Sequence, residues 1–198
     1  MTEQKVIKWL GMICILAGIA RMGMTPASLI WGTDSTQELT TGLIACILMS
    51  VGSIAFYQVQ SRETGVTGFI TILAIIIGNI LTTAMLWSQF AAGGADAVQP
   101  EGLLVNISRM FGMIGFLGGT LVFMILTFLA KVFPRWVPAL MLIMILAMFL
   151  PIADNKYFAL FWGLSYVGMG YCIWVKKLTN ASSPASLLTY NRDEMISG

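Results

Sequence analysis

The sequence predicts an all-α polytopic membrane protein, a bundle of six transmembrane helices with its N-terminus and C-terminus both cytoplasmic. Three observations carry that expectation. Of 198 residues, 58% are hydrophobic and 10% charged, whereas a soluble domain carries roughly 25% charged residues, so polar groups are too few to coat a water-facing surface. The apolar residues fall in six blocks, and about 20 apolar residues in a helix span the roughly 30 Å of bilayer hydrocarbon. Lysine and arginine gather in every second connection, the asymmetry that orients membrane helices.

The first span is expected over residues 6–24, opened by Lys5, Lys8 and Trp9 and closed by Thr25-Pro26. A basic start before an apolar run also suits a cleaved signal peptide. Arg21 interrupts the run where a cleavage region should follow and no small-x-small site appears, so the segment reads as a retained helix. Spans over 41–59 and 66–88 are joined by the polar turn Gln60-Ser61-Arg62-Glu63-Thr64-Gly65. The Gly- and Ala-rich stretch 91–102, with Asp96, Pro100 and Glu101, reads as an exposed loop. The fourth span, 103–130, is longer than a bilayer requires and should tilt or protrude. After the turn Lys131-Val132-Phe133-Pro134-Arg135-Trp136 comes a span over 137–152, with Pro138 in its first turn. Ala153-Asp154-Asn155-Lys156 turns into the sixth span, 157–175. Residues 1–177 are thus one membrane domain, and 178–198 a polar cytoplasmic tail.

With the N-terminus inside, Lys5, Lys8, Arg62, Lys131, Arg135, Lys176, Lys177 and Arg192 all fall inside, and Lys156 alone among the basic loop residues falls outside. Asp34, Glu38, Asp96, Glu101 and Asp154 lie on the outer side. Trp9, Tyr57, Trp136 and Trp174 then mark the inner interface, and Trp31, Trp87 and Tyr157 the outer one.

The chain contains no histidine. That removes His-ligated haem, His-based metal sites and the usual base of a Ser or Cys nucleophile. No acidic side chain lies within a span, so paired-carboxylate catalysis has no residues to use. Gly163-Leu164-Ser165-Tyr166-Val167-Gly168 misses the nucleophile-elbow spacing by one residue. Cys14, Cys46 and Cys172 sit in apolar blocks and read as small buried hydrophobes. No catalytic residue, metal, cofactor or nucleic-acid partner is expected.

Arg21 and Arg109 are the ionised side chains inside the spans. A charge at the bilayer centre costs about 2.5–3.5 kcal/mol on insertion scales, so each needs a task or an escape. Both fall at the outer ends of their helices, at one level. They either line a cationic pocket, since arginine suits carboxylates and phosphates, or they snorkel to the interface and pair with Asp34, Glu38, Asp96 or Glu101. Asn106 lies one turn before Arg109. Asn79 is mid-span, with Thr82 and Thr83 a turn later, and serves as interhelical glue or lines a solute path. Gly112, Gly115 and Gly119 give the fourth span a face of small residues on which a helix can pack closely, within the bundle or from a partner. Ile19-Ala20-Arg21-Met22-Gly23-Met24 resembles Ile107-Ser108-Arg109-Met110-Phe111-Gly112-Met113, but the two lie at opposite ends of their helices, which does not fit an inverted repeat.

Gly52 and Tyr57 leading into Gln58-Val59-Gln60-Ser61-Arg62, then Gly65 and Gly68-Phe69, then Phe133-Pro134-Arg135-Trp136, together give a layout that resembles a loose group of small bacterial six-helix membrane proteins. The resemblance implies a bacterial cytoplasmic membrane and carries over no activity and no functional residue. The leading expectation is a non-enzymatic protein that binds or passes a small anionic solute or lipid through Arg21, Arg109, Asn106 and Asn79. The alternative is a structural or regulatory subunit that docks a membrane partner, or its own copy, through its glycine faces. Membrane lipids are the partners common to both.

Overall fold

In the computed structural model, residues 2–93, 102–149 and 157–178 are described. All regular structure among them is helical. The elements are α1 (Glu3–Trp31), α2 (Thr36–Ala91), α3 (Leu103–Met113), a π-helical segment (Ile114–Gly118) that leads without a break into α4 (Gly119–Ala130), α5 (Trp136–Met148) and α6 (Tyr157–Trp174). Three stretches are long and apolar enough to cross a membrane: α1, α2 and the continuous run Leu103–Ala130. Most of the expected loop at 91–102, the turn at 153–156 and the tail from 179 onward lie outside the described residues.

Two expected boundaries move. The first helix does not stop at Thr25-Pro26 but continues through Pro26 to Trp31. In apolar surroundings carbonyl groups have no water to turn to, so one missing proline N–H is tolerated where the rest of the ladder holds. The second helix starts at Thr36, not near residue 41, because Ser35 caps it. The Ser35 hydroxyl accepts from the Glu38 N–H (3.4 Å), and the Glu38 carboxylate accepts from the Asp34 N–H (2.7 Å). This is a capping box shifted back by one residue.

α2 spans 56 residues yet is not one rod, because Gly65 sits at φ 53°, ψ −142°, a region open to glycine. The Tyr57 and Phe69 rings lie 5.6 Å apart. A Cβ built on Gly42 would lie 3.2 Å from Leu86 Cδ1, although 44 residues of straight helix would separate them by about 66 Å. α2 is therefore a hairpin with limbs 36–64 and 66–91. The expected polar turn over 60–65 shrinks to Gly65 alone, and Arg62, Glu63 and Thr64 stay helical.

The helices form a ring in chain order: α1, the two limbs of α2, α3–α4, α5 and α6, with α6 returning to α1. Glycine makes two seams in this ring. In the first, Gly11 and Gly18 on α1 face Gly170 and Gly163 on α6. A Cβ on Gly170 would lie 2.6 Å from the Gly11 carbonyl oxygen, and a Cβ on Gly18 or Gly163 would land on the other's carbonyl oxygen. The pairing of 11 with 170 and 18 with 163 makes the helices antiparallel. In the second seam, a Cβ on Gly115 would lie 3.0 Å from the Ala74 carbonyl oxygen, one on Gly78 3.0 Å from the Phe116 nitrogen, and one on Gly119 3.1 Å from Ile75. Gly112 packs more loosely, against Leu81. The glycine face of the fourth span thus packs on the second limb of α2 in the same chain.

Between the seams lies a core of Phe56, Phe123, Met141, Met144, Trp162, Tyr166 and Met169, all buried. Phe56 stacks on Phe123 at 6.0 Å and meets Tyr166 edge-on at 5.1 Å. The outside is apolar: Leu16, Ile19, Leu73, Ile77, Phe111, Phe128, Leu129 and Leu146 are exposed, a surface that suits hydrocarbon rather than water. The topology puts Lys5, Lys8, Arg62, Lys131, Arg135, Lys176 and Lys177 at one end, where Lys8 Nζ sits 4.3 Å over the Trp174 ring. Asp34 and Glu38 lie at the other.

The first seam leaves no room for a side chain. Gly163→Val is expected to lower unfolding free energy by about 1–3 kcal/mol or more through overpacking. Gly118→Ala, where nothing lies within 4 Å of an added Cβ, should stay within about 0.5 kcal/mol of the parent. Both are read as denaturation in lipid nanodiscs.

Candidate functional site

Most hydroxyls inside the ring are satisfied by their own helix. Ser53 donates to the Met49 carbonyl, Thr64 to Gln60, Thr71 to Thr67, Thr82 to Gly78, Thr83 to Asn79 and Ser165 to Phe161, at 2.7–3.0 Å. Back-bonding to the preceding turn is the usual solution for Ser and Thr in helices. Thr82 and Thr83 therefore do not cross to a neighbour. The exceptions to this local satisfaction mark the site.

Arg21 is the main exception. It is 6% exposed, and Trp31, the last residue of α1, lies ten residues beyond it, about 15 Å at 1.5 Å per residue. The extension of α1 past Pro26 is what puts Arg21 well inside the helix rather than at its end. Its Nη1 donates to Cys46 Sγ on the first limb of α2 at 3.7 Å, and its guanidinium carbon lies 3.8 Å from the centre of the Trp162 ring on α6. A thiol is a weak acceptor, so the indole face is the stronger contact, worth about 2 kcal/mol when desolvated. Arg21 Nε has no hydrogen-bond partner.

Trp162 is braced in turn. Phe116 packs on it at 4.2 Å and Phe158 at 5.5 Å. Phe116 belongs to the π-helical segment, and Gly78 opposite lets that segment come close. Single π turns inside α-helices recur at functional sites. A line of contact therefore runs from the π segment through Trp162 to Arg21.

Further along the interior, Tyr166 and Ser53 hydroxyls lie 2.8 Å apart. Ser53 gives its one proton to the Met49 carbonyl, so Tyr166 O–H donates to Ser53 and keeps its own lone pairs free. Asn79, 0% exposed, approaches the Tyr166 hydroxyl, but neither atom of its amide reaches a protein group in hydrogen-bond geometry. Nearer the basic end, Gln60 Nε2 donates to Thr127 Oγ1 at 3.4 Å while Gln60 Oε1 has no partner.

Of the four residues expected to form a site, Arg21 and Asn79 face the interior. Arg109 is half-buried on α3, which packs on the second limb of α2, and it has an interaction of its own there. α3 packs on α2, whereas Arg21 sits between α1, α6 and the first limb of α2, so the two arginines lie on different sides of the ring. Asn106 is exposed. The contacts that define Arg21, namely Trp162 and Cys46, were not anticipated. A tryptophan five residues inside α6, away from either interface, was the available signal. Ser53 and Ser165 both spend their protons on carbonyls, and among the described residues no three His, Cys, Asp or Glu side chains converge. The arrangement fixes a cation inside an apolar bundle, against an indole face and a thiol.

Comparison with family models, curated proteins and solved structures finds no match to this chain.

If the indole face holds the guanidinium, Arg21 and Trp162 are energetically coupled. A double-mutant cycle of Arg21→Met and Trp162→Leu should give a coupling energy of about 1–2 kcal/mol. Arg109→Met combined with Trp162→Leu should be additive.

Proposed function

We propose that this chain is a six-pass protein of the bacterial cytoplasmic membrane that binds or passes a small anionic solute at Arg21, without covalent chemistry. The single observation behind this reading is a 6% exposed arginine whose Nε lacks a partner and whose near contacts are an indole and a thiol. A charge kept at such cost in apolar surroundings usually has a task, and the bidentate geometry of arginine suits carboxylates and phosphates. The burial of Arg21 within the ring favours a small solute over a lipid headgroup approaching from the membrane.

Counting each limb of α2 once supports six passes, and the distribution of lysine and arginine supports a cytoplasmic basic end. The alternative, docking a membrane partner through glycine-rich helix faces, has less support, because Gly112, Gly115 and Gly119 pack against α2 and Gly163 and Gly170 against α1 in the same chain. The role of Arg109 in this reading is peripheral.

Thermal unfolding in nanodiscs, screened against small carboxylates, phosphates and sulfates, tests the binding. An anion at about 100 times its dissociation constant adds roughly 2.7 kcal/mol of stability. A shift in the parent and in Arg109→Ala, lost in Arg21→Met, is the expected pattern. A shift that survives Arg21→Met, or one produced by anionic phospholipid and no soluble anion, would contradict it. For topology, single cysteines at Ser61 and Lys177 should be shielded from a membrane-impermeant thiol reagent in intact cells, and one at Thr36 should react.

A further inference from the structure

Four lysines at the basic end of the first glycine seam have no part in the anion reading. Lys5 and Lys8 lie on α1, Lys176 and Lys177 follow the end of α6, and all four are exposed. Because α1 and α6 run antiparallel, the start of one and the end of the other share a level. Lys176 takes a left-handed φ of 55°, and the Lys177 N–H returns to the Cys172 carbonyl at 2.9 Å. This cap closes α6 and holds both lysines beside α1. Lys8 Nζ sits 4.3 Å over the Trp174 ring, and Trp9 meets that ring edge-on at 6.0 Å. Against these cations, Glu3 is the one carboxylate among the described residues of α1 and α6.

We propose that this face binds an anionic phospholipid, its phosphate among the lysines and an acyl chain along α1 and α6. Lys8 rests on an indole face, and its ammonium, with three N–H donors, can still give one to a phosphate oxygen. Below it the surface is apolar: Leu16 and Ile19 on α1 and Tyr171 and Val175 on α6 are exposed. The contacts of Trp174 with Lys8 and Trp9 put these residues, by helical spacing, on one outer side of the pair. From Lys8 to Ile19, α1 rises about 16 Å, close to half of the roughly 30 Å hydrocarbon layer. Cations at the top, paired indoles at the boundary and an apolar ladder one leaflet deep match the order of groups in a phospholipid. Basic clusters at the ends of membrane helices are a general recognition device for anionic lipid. The site rests on the membrane reading and not on anion binding at Arg21.

Native mass spectrometry of the full chain, released from nanodiscs of equal parts phosphatidylglycerol and phosphatidylcholine, tests this. The parent should retain phosphatidylglycerol in preference to phosphatidylcholine. Lys8→Gln combined with Lys177→Gln should cut that preference by about fivefold or more, the factor one lysine contributes near a lipid surface. Lys131→Gln combined with Arg135→Gln removes two exposed charges from the same end and should leave most of it. Arg21→Met should leave it intact, which separates this site from the anion site. Excess glycerol phosphate should not displace the lipid, because it lacks the acyl chains. No preference in the parent, an equal loss in the Lys131 and Arg135 pair, a loss in Arg21→Met, or displacement by glycerol phosphate would overturn the proposal.

Discussion

The backbone contact between α1 and α6 is the constraint on which the rest of the fold depends. Residues far apart in sequence are brought to van der Waals distance there because Gly11, Gly18, Gly163 and Gly170 have no side chain to hold the helices apart. Between helices in an apolar medium there is no hydrophobic drive to associate, and close packing of small residues takes its place. The seam closes a ring whose other neighbours are consecutive in the chain. It also fixes the height of α6 against α1, and with it the position of Trp162 over Arg21.

The polar interior follows from the same closure. A guanidinium on α1 could escape to the surface if α6 were one turn higher or lower, since no indole would then lie beneath it. Held at 3.8 Å from the ring centre, it stays inside, and the π-helical segment pushes Phe116 against the far side of that indole. The second glycine seam, around Gly78 and Gly115, allows this approach. Two places where the chain gives up side chains therefore support the one place where it keeps a charge. The satisfied hydroxyls around them are quiet by comparison, because each returns its proton to its own helix.

Much of this was legible in the sequence. Hydropathy and charge identified an all-helical chain with apolar stretches of membrane-spanning length, since block length and the placement of lysine and arginine are strong local signals. The start of the run at Leu103 and its end at Ala130 were read correctly for the same reason. The boundaries that moved depend on chemistry weaker than hydropathy. Pro26 reads as a stop in water but not in an apolar medium, and Ser35-x-x-Glu38 is a capping box overlooked beside the apolar run that follows. The candidate site was half legible. Arg21 and Asn79 stand out as polar residues in apolar blocks, but sequence cannot say which way a helix faces. Asn106 and Arg109 therefore looked equivalent to them until packing placed one on the surface and the other across the ring. The seven-residue spacing of glycines in α1, repeated in α6, was present in the sequence and is the pattern that would have paired the first helix with the last.

The closure of α1 on α6 is tested most directly at the basic end, where the Trp9 and Trp174 rings lie 6.0 Å apart. With Cys14, Cys46 and Cys172 replaced by alanine, the pair Trp9→Cys and Trp174→Cys would be treated with a short bifunctional thiol reagent in native membranes. The account predicts efficient cross-linking within one chain, and none for Trp9→Cys paired with Trp87→Cys at the other end. Failure of the first pair to link, or links formed only between chains, would contradict an antiparallel seam of α1 on α6.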